Sequence, residues 1–376
     1  MTTRTAAPPL HRPLRPRPVP RGLLAIAAIL GLLATALGLL ALLRPGSAPF
    51  PGSATPPPVV AMTGPTVWSL VQIAGGLLAA AGALAVRRSR SGAPVALSAL
   101  AILEIAVFGL GSSSLTVLSG AGYLLALAMP AIVAAAGLSL LVRGRTPGRV
   151  TGAAILLGLI TLAVLLREQI VHIAETLTPA LLGQVGEMSA TALFVLTAVV
   201  WAVILVGAVR GSSALARGGR WVLRHRVALT VVAAASALPY ALLRLTWLTP
   251  WPQLGGEAAA DPSTRLWGLV LSSGAWCGAL LTMGLVRPWG EVFPRWFPVI
   301  GGRRVPVAVA AVPGFAVAGL LCCAAVPMAL MGLSAPGGAS LLLVVESLIA
   351  FPCWLWGPSL GLAVWGYVEH RRAIGR

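Results

Sequence analysis

The sequence predicts an all-α protein: a polytopic transmembrane helix bundle of about ten spans, with both termini in the cytoplasm. Of its 376 residues, 58% are hydrophobic and 10% are charged, against about 25% charged residues in an average soluble protein. The apolar residues form runs of about 20, the length that crosses a hydrocarbon core of about 30 Å. A soluble fold of this size would need a far more polar surface.

Short segments, often with arginine, separate the ten predicted spans, and none of them is long enough to form a soluble domain. The predicted spans cover residues 22–43, 66–86, 95–112, 123–142, 151–166, 191–209, 227–246, 266–286, 305–331 and 341–367. The last two are longer than a perpendicular span needs and contain prolines, so we expect tilted or broken helices there.

The two ends of the chain are expected to be cytoplasmic tails, residues 1–21 and 368–376. The first is rich in proline and arginine, a composition typical of disorder. A secretory signal is a competing interpretation of the first span, because Gly46-Ser47-Ala48 resembles a cleavage site. The run of 22 residues is longer than the usual signal-peptide core of about 7–15 residues, which favours a retained span.

The arginines determine the predicted orientation, since all 27 basic residues are arginine. With the N-terminus inside, 23 of them fall on inner segments and three on outer ones, while Arg244 lies within a span. This asymmetry follows the positive-inside rule. We expect the inner segments to contact anionic lipid headgroups. Nucleic-acid binding is not expected, because no basic helix or aromatic stacking platform accompanies the arginines.

Glu104 is the sharpest candidate for chemistry. It follows Pro94 by ten residues, which at about 1.5 Å per residue places it about 15 Å deep, near the bilayer midplane. An ionisable side chain at that depth is costly and marks a functional site by default. We therefore expect Glu104 to carry a proton and to bind a proton or a cation. The structural alternative is a protonated acid hydrogen-bonded to a neighbouring helix, for example to Tyr240 or a serine.

Arg244 and Glu346 are expected at a similar depth near the outer interface. They would form an ion pair if their helices touch; otherwise each side chain reaches the headgroups separately.

The segment 351–358 contains two prolines and a glycine, which should interrupt the tenth span near the middle of the membrane. Transporters bind substrates at broken helices. Candidate substrate residues are therefore Pro352, Trp354 and Trp356, together with Tyr240 and Arg244. A proline kink with aromatic packing is the structural alternative.

Glu168, His172 and Glu175 share one face of a helical extension of the fifth span, because they lie four and then three residues apart. A histidine with carboxylates one turn away is a candidate metal site when further ligands come from elsewhere. The alternative is a solvated polar face with local ion pairs, including one to Arg167.

Small-residue pairs at the spacing of a GxxxG motif occur at Gly274/Gly278 and Gly357/Gly361. This spacing is typical of close contacts between membrane helices. The contacts are expected either within the chain or in a homo- or hetero-oligomer.

Two short motifs carry a resemblance to a known group of proteins. They are Pro239-Tyr240 through Arg244 to Trp251-Pro252, and the segment 290–306 with Gly290-Glu291-Val292-Phe293-Pro294 and Gly302-Arg303-Arg304-Val305-Pro306. Both resemble uncharacterised multi-pass membrane proteins of actinobacteria. The resemblance implies a location in the bacterial plasma membrane (the inner membrane) and no assigned activity.

The leading functional hypothesis is a secondary transporter or permease for a small solute, with proton coupling as an option. A midplane acid, broken helices and the lack of an energy-coupling domain favour it. One alternative is a non-enzymatic sensor or assembly partner. Another is a membrane-embedded enzyme for lipid-linked substrates, with the region of Glu168 as its source of polar residues. No nucleotide-binding or hydrolase motif occurs, so no cofactor is expected.

Overall fold

The computed structural model describes residues 19–44, 57–88, 94–111, 113–253, 259–294, 300–330 and 341–375. Across these residues the protein is all-α, as predicted, and strand-type pairing is limited to an isolated bridge between Val292 and Arg304. The helices are α1 (Arg21–Leu43), α2 (Pro58–Thr63), α3 (Pro65–Arg88), α4 (Pro94–Glu104), α5 (Leu115–Arg143), α6 (Thr146–Leu165), α7 (Arg167–Gly183), α8 (Val185–Ala208), α9 (Ser213–Arg224), α10 (Arg226–Ser236), α11 (Leu238–Leu245), α12 (Pro262–Met283), α13 (Val307–Leu330), α14 (Leu341–Ala350) and α15 (Cys353–Ile374). A π-helical turn, Ile105–Leu110, continues α4.

Nine helical segments in the described part of the chain are long and apolar enough to cross a membrane. They match nine of the ten predicted spans. The remaining predicted span, 95–112, corresponds to a shorter apolar helix, Val95–Gly109. The N-terminal tail up to residue 18 and the segment Gly46-Ser47-Ala48, which resembles a cleavage site, lie outside the described residues.

The shorter helix nevertheless runs along nearly the whole of α3, in the antiparallel direction. Three contacts define this alignment: Gly82 with Leu100, Gly75 with Val107, and Gly111 with Trp68. A Cβ atom at Gly111 would overlap the indole ring of Trp68, so only glycine fits there. The third predicted span therefore extends as deep as its longer neighbour despite its length.

Four helices, α1, α3, α4 and α8, pack together as a group that we call the N-terminal bundle. Glycines bring α1 and α3 into backbone contact: a Cβ atom at Gly31 would lie 2.6 Å from the carbonyl oxygen of Gly76. The Gln72 amide donates a 2.8 Å hydrogen bond to the carbonyl of Ala34 across this interface. Because lipid offers helices no hydrophobic driving force to associate, such close packing and interhelical hydrogen bonds hold membrane helices together.

The helices from α10 to α15 form a second group, the C-terminal bundle, in which α15 packs along α13 and α10. A Cβ atom at Gly357 would lie 2.8 Å from the backbone nitrogen of Cys322, so glycine permits this approach of α15 to α13. Gly361 faces Ala318, and on α12 Gly274 faces Leu125 while Gly278 faces Trp356. Both predicted small-residue pairs therefore make helix contacts within the chain.

The hairpin of α5 and α6 links the two bundles. α5 contacts α8 on one side and α12 and α13 on the other. α6 packs closely on α5 where Gly152 meets Gly137, since a Cβ atom at Gly152 would lie 2.5 Å from the carbonyl oxygen of Gly137. Most other side chains of α6 are exposed, as expected for a helix that faces lipid.

Prolines interrupt two of the spans. The seventh divides near Pro239 into α10 and α11, and the tenth divides at Phe351 and Pro352 into α14 and α15. Pro358 lies inside α15, so the predicted interruption at 351–358 is confined to its first two residues. Other prolines remain within continuous helices, namely Pro130 in α5 and Pro313 and Pro327 in α13.

Besides the short α2, two longer helices, α7 and α9, lie between predicted spans in the described part of the chain. α7 is the predicted extension of the fifth span, and Leu166 separates it from α6. α9 occupies a basic segment of the predicted inner side, where inner and outer denote the orientation predicted from the arginines. The Ser212 hydroxyl caps α9 by accepting a 3.2 Å hydrogen bond from the Leu215 backbone. Gly218 of α9 lies against Trp365 of α15. The inner segment is therefore a helix packed on the C-terminal bundle.

Candidate functional site

Glu104, the last residue of α4, is fully buried. Neither of its carboxylate oxygens has a hydrogen-bond partner within the described part of the chain. An ionised carboxylate in such a place would cost several kcal/mol, because neither a counter-charge nor a donor compensates for the lost water. We therefore infer that Glu104 holds a proton in this conformation.

The contacts of the N-terminal bundle place Glu104 level with the middle of α3. Gly82 of α3 faces Leu100, and Gly75 faces Val107. Glu104 lies between these two levels.

The face of α4 that carries Glu104 is apolar. Ala101 and Phe108, about one helical turn before and after it, are both fully buried. They pack in clusters with Trp201 and Phe194 of α8. The indole nitrogen of Trp201 is likewise a buried group without a partner among the described residues. The apolar surroundings of Glu104 suit a neutral acid.

A π-helical turn begins directly after Glu104. Single π turns inside α-helices are rare and are frequent at functional sites. The structure therefore combines at one position a buried acid without a partner and a local departure from regular helix.

The predicted structural alternative for Glu104, a hydrogen bond to Tyr240 or to a serine, is not formed with any of the residues that the structure describes. Tyr240 belongs to the C-terminal bundle, where its ring packs edge-to-face on Phe351 with 4.9 Å between centroids. The physical reason is that the two residues belong to different bundles.

Arg244 is the centre of a second candidate site, in the outer half of the seventh span. Its guanidinium carbon lies 3.9 Å from the centroid of the Trp247 ring and 5.2 Å from that of Tyr240. One guanidinium nitrogen, Nη1, is buried and has no hydrogen-bond partner within the described ranges. Stacking on aromatic faces stabilises the cation but leaves a donor available for an anion.

Aromatic rings connect this arginine to the break in the tenth span. Phe351 contacts Tyr240 on one side and Trp356 on the other, with 5.7 Å between the centroids of Phe351 and Trp356. Trp356 is buried, and its indole nitrogen has no partner in the part of the chain described. Tyr240, Arg244, Pro352 and Trp356, predicted from two separate spans, are thus brought together.

Two other predicted residues do not join this group. Glu346 forms no ion pair with Arg244 within 4.0 Å, although α11 and α14 are in contact. Arg244 stacks on Trp247 instead. Trp354 is 53% exposed, and its indole donates a 3.2 Å hydrogen bond to the Leu348 carbonyl. It therefore points towards the surroundings and not into the cluster.

The predicted metal residues Glu168, His172 and Glu175 lie on the exposed helix α7. Within the described residues no three histidine, cysteine or acidic side chains are grouped so that they could hold a metal ion. Glu168 is instead 3.8 Å from Arg167, with both side chains largely exposed. The structure favours the solvated polar face, and it leaves the enzyme hypothesis without a cluster of catalytic side chains there.

Asp261 is the charged group at the outer end of α12, which packs on α7. Its carboxylate accepts a 2.7 Å hydrogen bond from the Thr264 backbone N–H. This bond, with a smaller contribution from nearby His172, lowers the pKa of Asp261. Asp261 therefore caps the helix in its ionised form.

A polar network at the inner end of α15 was not predicted. Arg371 donates hydrogen bonds to the Tyr367 hydroxyl at 2.7 Å and to the Val305 carbonyl at 2.8 Å. Tyr367 donates in turn to the Gly290 carbonyl at 2.9 Å. These bonds hold the loop between α12 and α13 against the last helix. The four-residue spacing of Tyr367 and Arg371 indicates from the sequence that these two side chains meet, but it does not indicate their hydrogen bonds to the loop.

A second contact ties the same loop to α15. The imidazole of His370 lies 3.0 Å from the carboxylate of Glu291, and both side chains are partly buried. The loop is therefore fixed to the last helix by hydrogen bonds and by this histidine–carboxylate contact.

No protein-family model matches the chain, and no curated protein or solved structure matches it either. These comparisons therefore do not indicate an activity for the chain. The two candidate sites are the buried acid of the N-terminal bundle, which has no partner among the described residues, and the arginine–aromatic cluster of the C-terminal bundle.

Proposed function

We propose that this membrane protein is a secondary transporter of the bacterial inner membrane, which moves a small solute and couples its movement to protons at Glu104. The observation that supports this proposal is a fully buried carboxyl group whose two oxygens have no partner in the described residues. Acids kept for structure are normally hydrogen-bonded. An acid held neutral and unpaired near the midplane is suited to bind and release a proton when water or solute reaches it.

Solute binding is proposed at the cluster of Arg244, Tyr240, Phe351 and Trp356. The buried guanidinium nitrogen favours a solute with an anionic group. The aromatic rings favour an apolar or flat moiety beside that group. The break between α14 and α15 lies at this point, and transporters commonly place substrate sites at such breaks.

The test uses the full-length protein in liposomes that enclose a pH-sensitive dye. Gradients of small carboxylates, amino acids, sugars and nucleosides are applied one at a time, and solute-dependent proton movement is recorded. In the native protein, we expect a gradient of a small carboxylate to drive proton movement across the liposome membrane. Glu104→Gln, which keeps the size of the side chain and removes its titratable proton, should lower that movement at least tenfold.

The matched control is Glu187→Gln, which alters a second buried acid near the outer end of α8. It should move protons at close to the native rate. Undiminished proton movement in Glu104→Gln would contradict the proposal. So would the absence of any solute-dependent signal in folded native protein.

A second candidate function is that of a membrane assembly partner. The α5–α6 hairpin favours it, because most side chains of α6 make no contact that buries them within the chain. Extraction in mild detergent would then yield a stable complex, and Glu104→Gln would leave that complex intact.

A further inference from the structure

The inner ends of α1 and α3 border an open surface groove of about 350 Å³, lined by the exposed residues Arg21, Leu84, Arg87 and Arg88. Arg21 is the first residue of α1, and Arg87 and Arg88 are the last two of α3. The groove therefore lies where two antiparallel spans end. The arginine distribution predicts that this is the cytoplasmic surface of the membrane.

Three guanidinium groups share this groove without a counter-charge. None of the ion pairs in the described part of the chain involves these arginines. The sequence also has no aspartate or glutamate before Glu104, so neither α1 nor α3 carries an acid. Close like charges repel each other, and an anion bound among them would relieve that repulsion.

The chemistry of the lining matches a phosphate with an apolar attachment. Arginine presents a planar fork of donors that binds phosphate in a bidentate manner. Leu84 lies one helical turn deeper in the membrane than Arg88 and is 38% exposed. A ligand that contacts both would place its phosphate at the surface and its hydrocarbon part beside Leu84.

We propose that this groove is a binding site for the headgroup of an anionic phospholipid, at the inner ends of α1 and α3. Three arginines favour a headgroup that carries two phosphates over one that carries a single charge. The acyl chains lie along the exposed apolar faces of α1 and α3. The site is separate from Glu104 and from the arginine–aromatic cluster, and it does not depend on transport.

The test measures lipid binding to the full-length protein in neutral-lipid nanodiscs. The probes are cardiolipin, phosphatidylglycerol, phosphatidylcholine and inorganic phosphate, and the readout is the dissociation constant of each. The native protein should bind cardiolipin most tightly. Arg87→Gln combined with Arg88→Gln should weaken cardiolipin binding about 10- to 30-fold, the loss expected for two arginines near a membrane surface.

The control removes the same charge elsewhere on the predicted inner face, by Arg143→Gln combined with Arg145→Gln at the junction of α5 and α6. These exposed residues do not line the groove, so this variant should keep nearly native cardiolipin affinity. Equal weakening by both double variants would overturn the proposal in favour of general surface charge. Cardiolipin binding no tighter than phosphatidylcholine binding, or displacement by inorganic phosphate alone at equal concentration, would also overturn it.

Discussion

Two polar side chains, Arg371 in the C-terminal bundle and Glu104 in the N-terminal bundle, differ in whether their polar atoms have hydrogen-bond partners. At the inner end of the C-terminal bundle, Arg371 is bonded to Tyr367 and to the Val305 carbonyl. In the N-terminal bundle, Glu104 is more deeply buried and has no partner in the described residues. A satisfied polar group stabilises a fold modestly, whereas a buried unsatisfied one costs stability. The comparison indicates a structural role for Arg371 and supports the proposal that Glu104 serves transport.

The same contrast applies to the arginines of the C-terminal bundle. Arg371 directs its donors to backbone carbonyls and a hydroxyl, which fix a loop. Arg244 stacks on Trp247 and leaves one buried nitrogen without a partner within the described ranges. Arg244 therefore has a donor available for a ligand, whereas Arg371 uses its donors for contacts within the protein.

The largest expected effect on the free energy of unfolding comes from replacing Arg371, whose donors are hydrogen-bonded. Arg371→Met should lower the free energy of unfolding by about 1.5–3 kcal/mol, because hydrogen bonds to a charged donor are lost and the carbonyl of Val305 loses its partner. Equilibrium unfolding in mixed micelles measures this value.

Arg372→Met is the matched control at the next position. Its side chain is 57% exposed and forms a surface ion pair with Glu369 at 2.7 Å. Its loss should change the free energy of unfolding by less than about 0.5 kcal/mol. Equal effects of the two substitutions would show that the inner network does not anchor the loop.

The second predicted change is an increase in the free energy of unfolding. Glu104→Leu should raise the free energy of unfolding by about 1–3 kcal/mol, because a buried polar group without partners is replaced by an apolar one of similar volume. The same micelle assay measures it, and the transport signal should be lost at the same time. A protein that becomes less stable would mean that Glu104 has a hydrogen-bond partner, and the structural interpretation would then hold.

Much of the fold could be predicted from the sequence because hydrophobicity and length determine which segments cross a membrane. Nine predicted spans correspond to long apolar helices, and the weakest match, 95–112, is the one whose helix ends in a π turn. Run length alone could not reveal that turn. The orientation and the resemblance to actinobacterial proteins stay predictions.

The candidate sites were predictable to different degrees. Glu104 stands out in the sequence because it is an isolated acid within an apolar run. The joining of Tyr240 and Trp356 through Phe351 depends on which helices are neighbours, and a single sequence does not contain that information. The ion pair between Arg244 and Glu346 is absent for the same reason, since shared depth does not determine the direction of a side chain. Hydrogen bonds from Arg371 to backbone carbonyls leave no sequence signature.

The central claim, a protonated and partnerless acid at the middle of the bundle, is tested most directly by its reaction with dicyclohexylcarbodiimide. This lipid-soluble reagent modifies protonated carboxyls, and mass spectrometry locates the adduct. In folded protein at neutral pH we expect modification at Glu104, at a rate that falls as the pH is raised, while Glu291 and Glu369 at the inner surface stay unmodified. If Glu104 is unmodified in the folded protein but reacts after denaturation, the claim is contradicted.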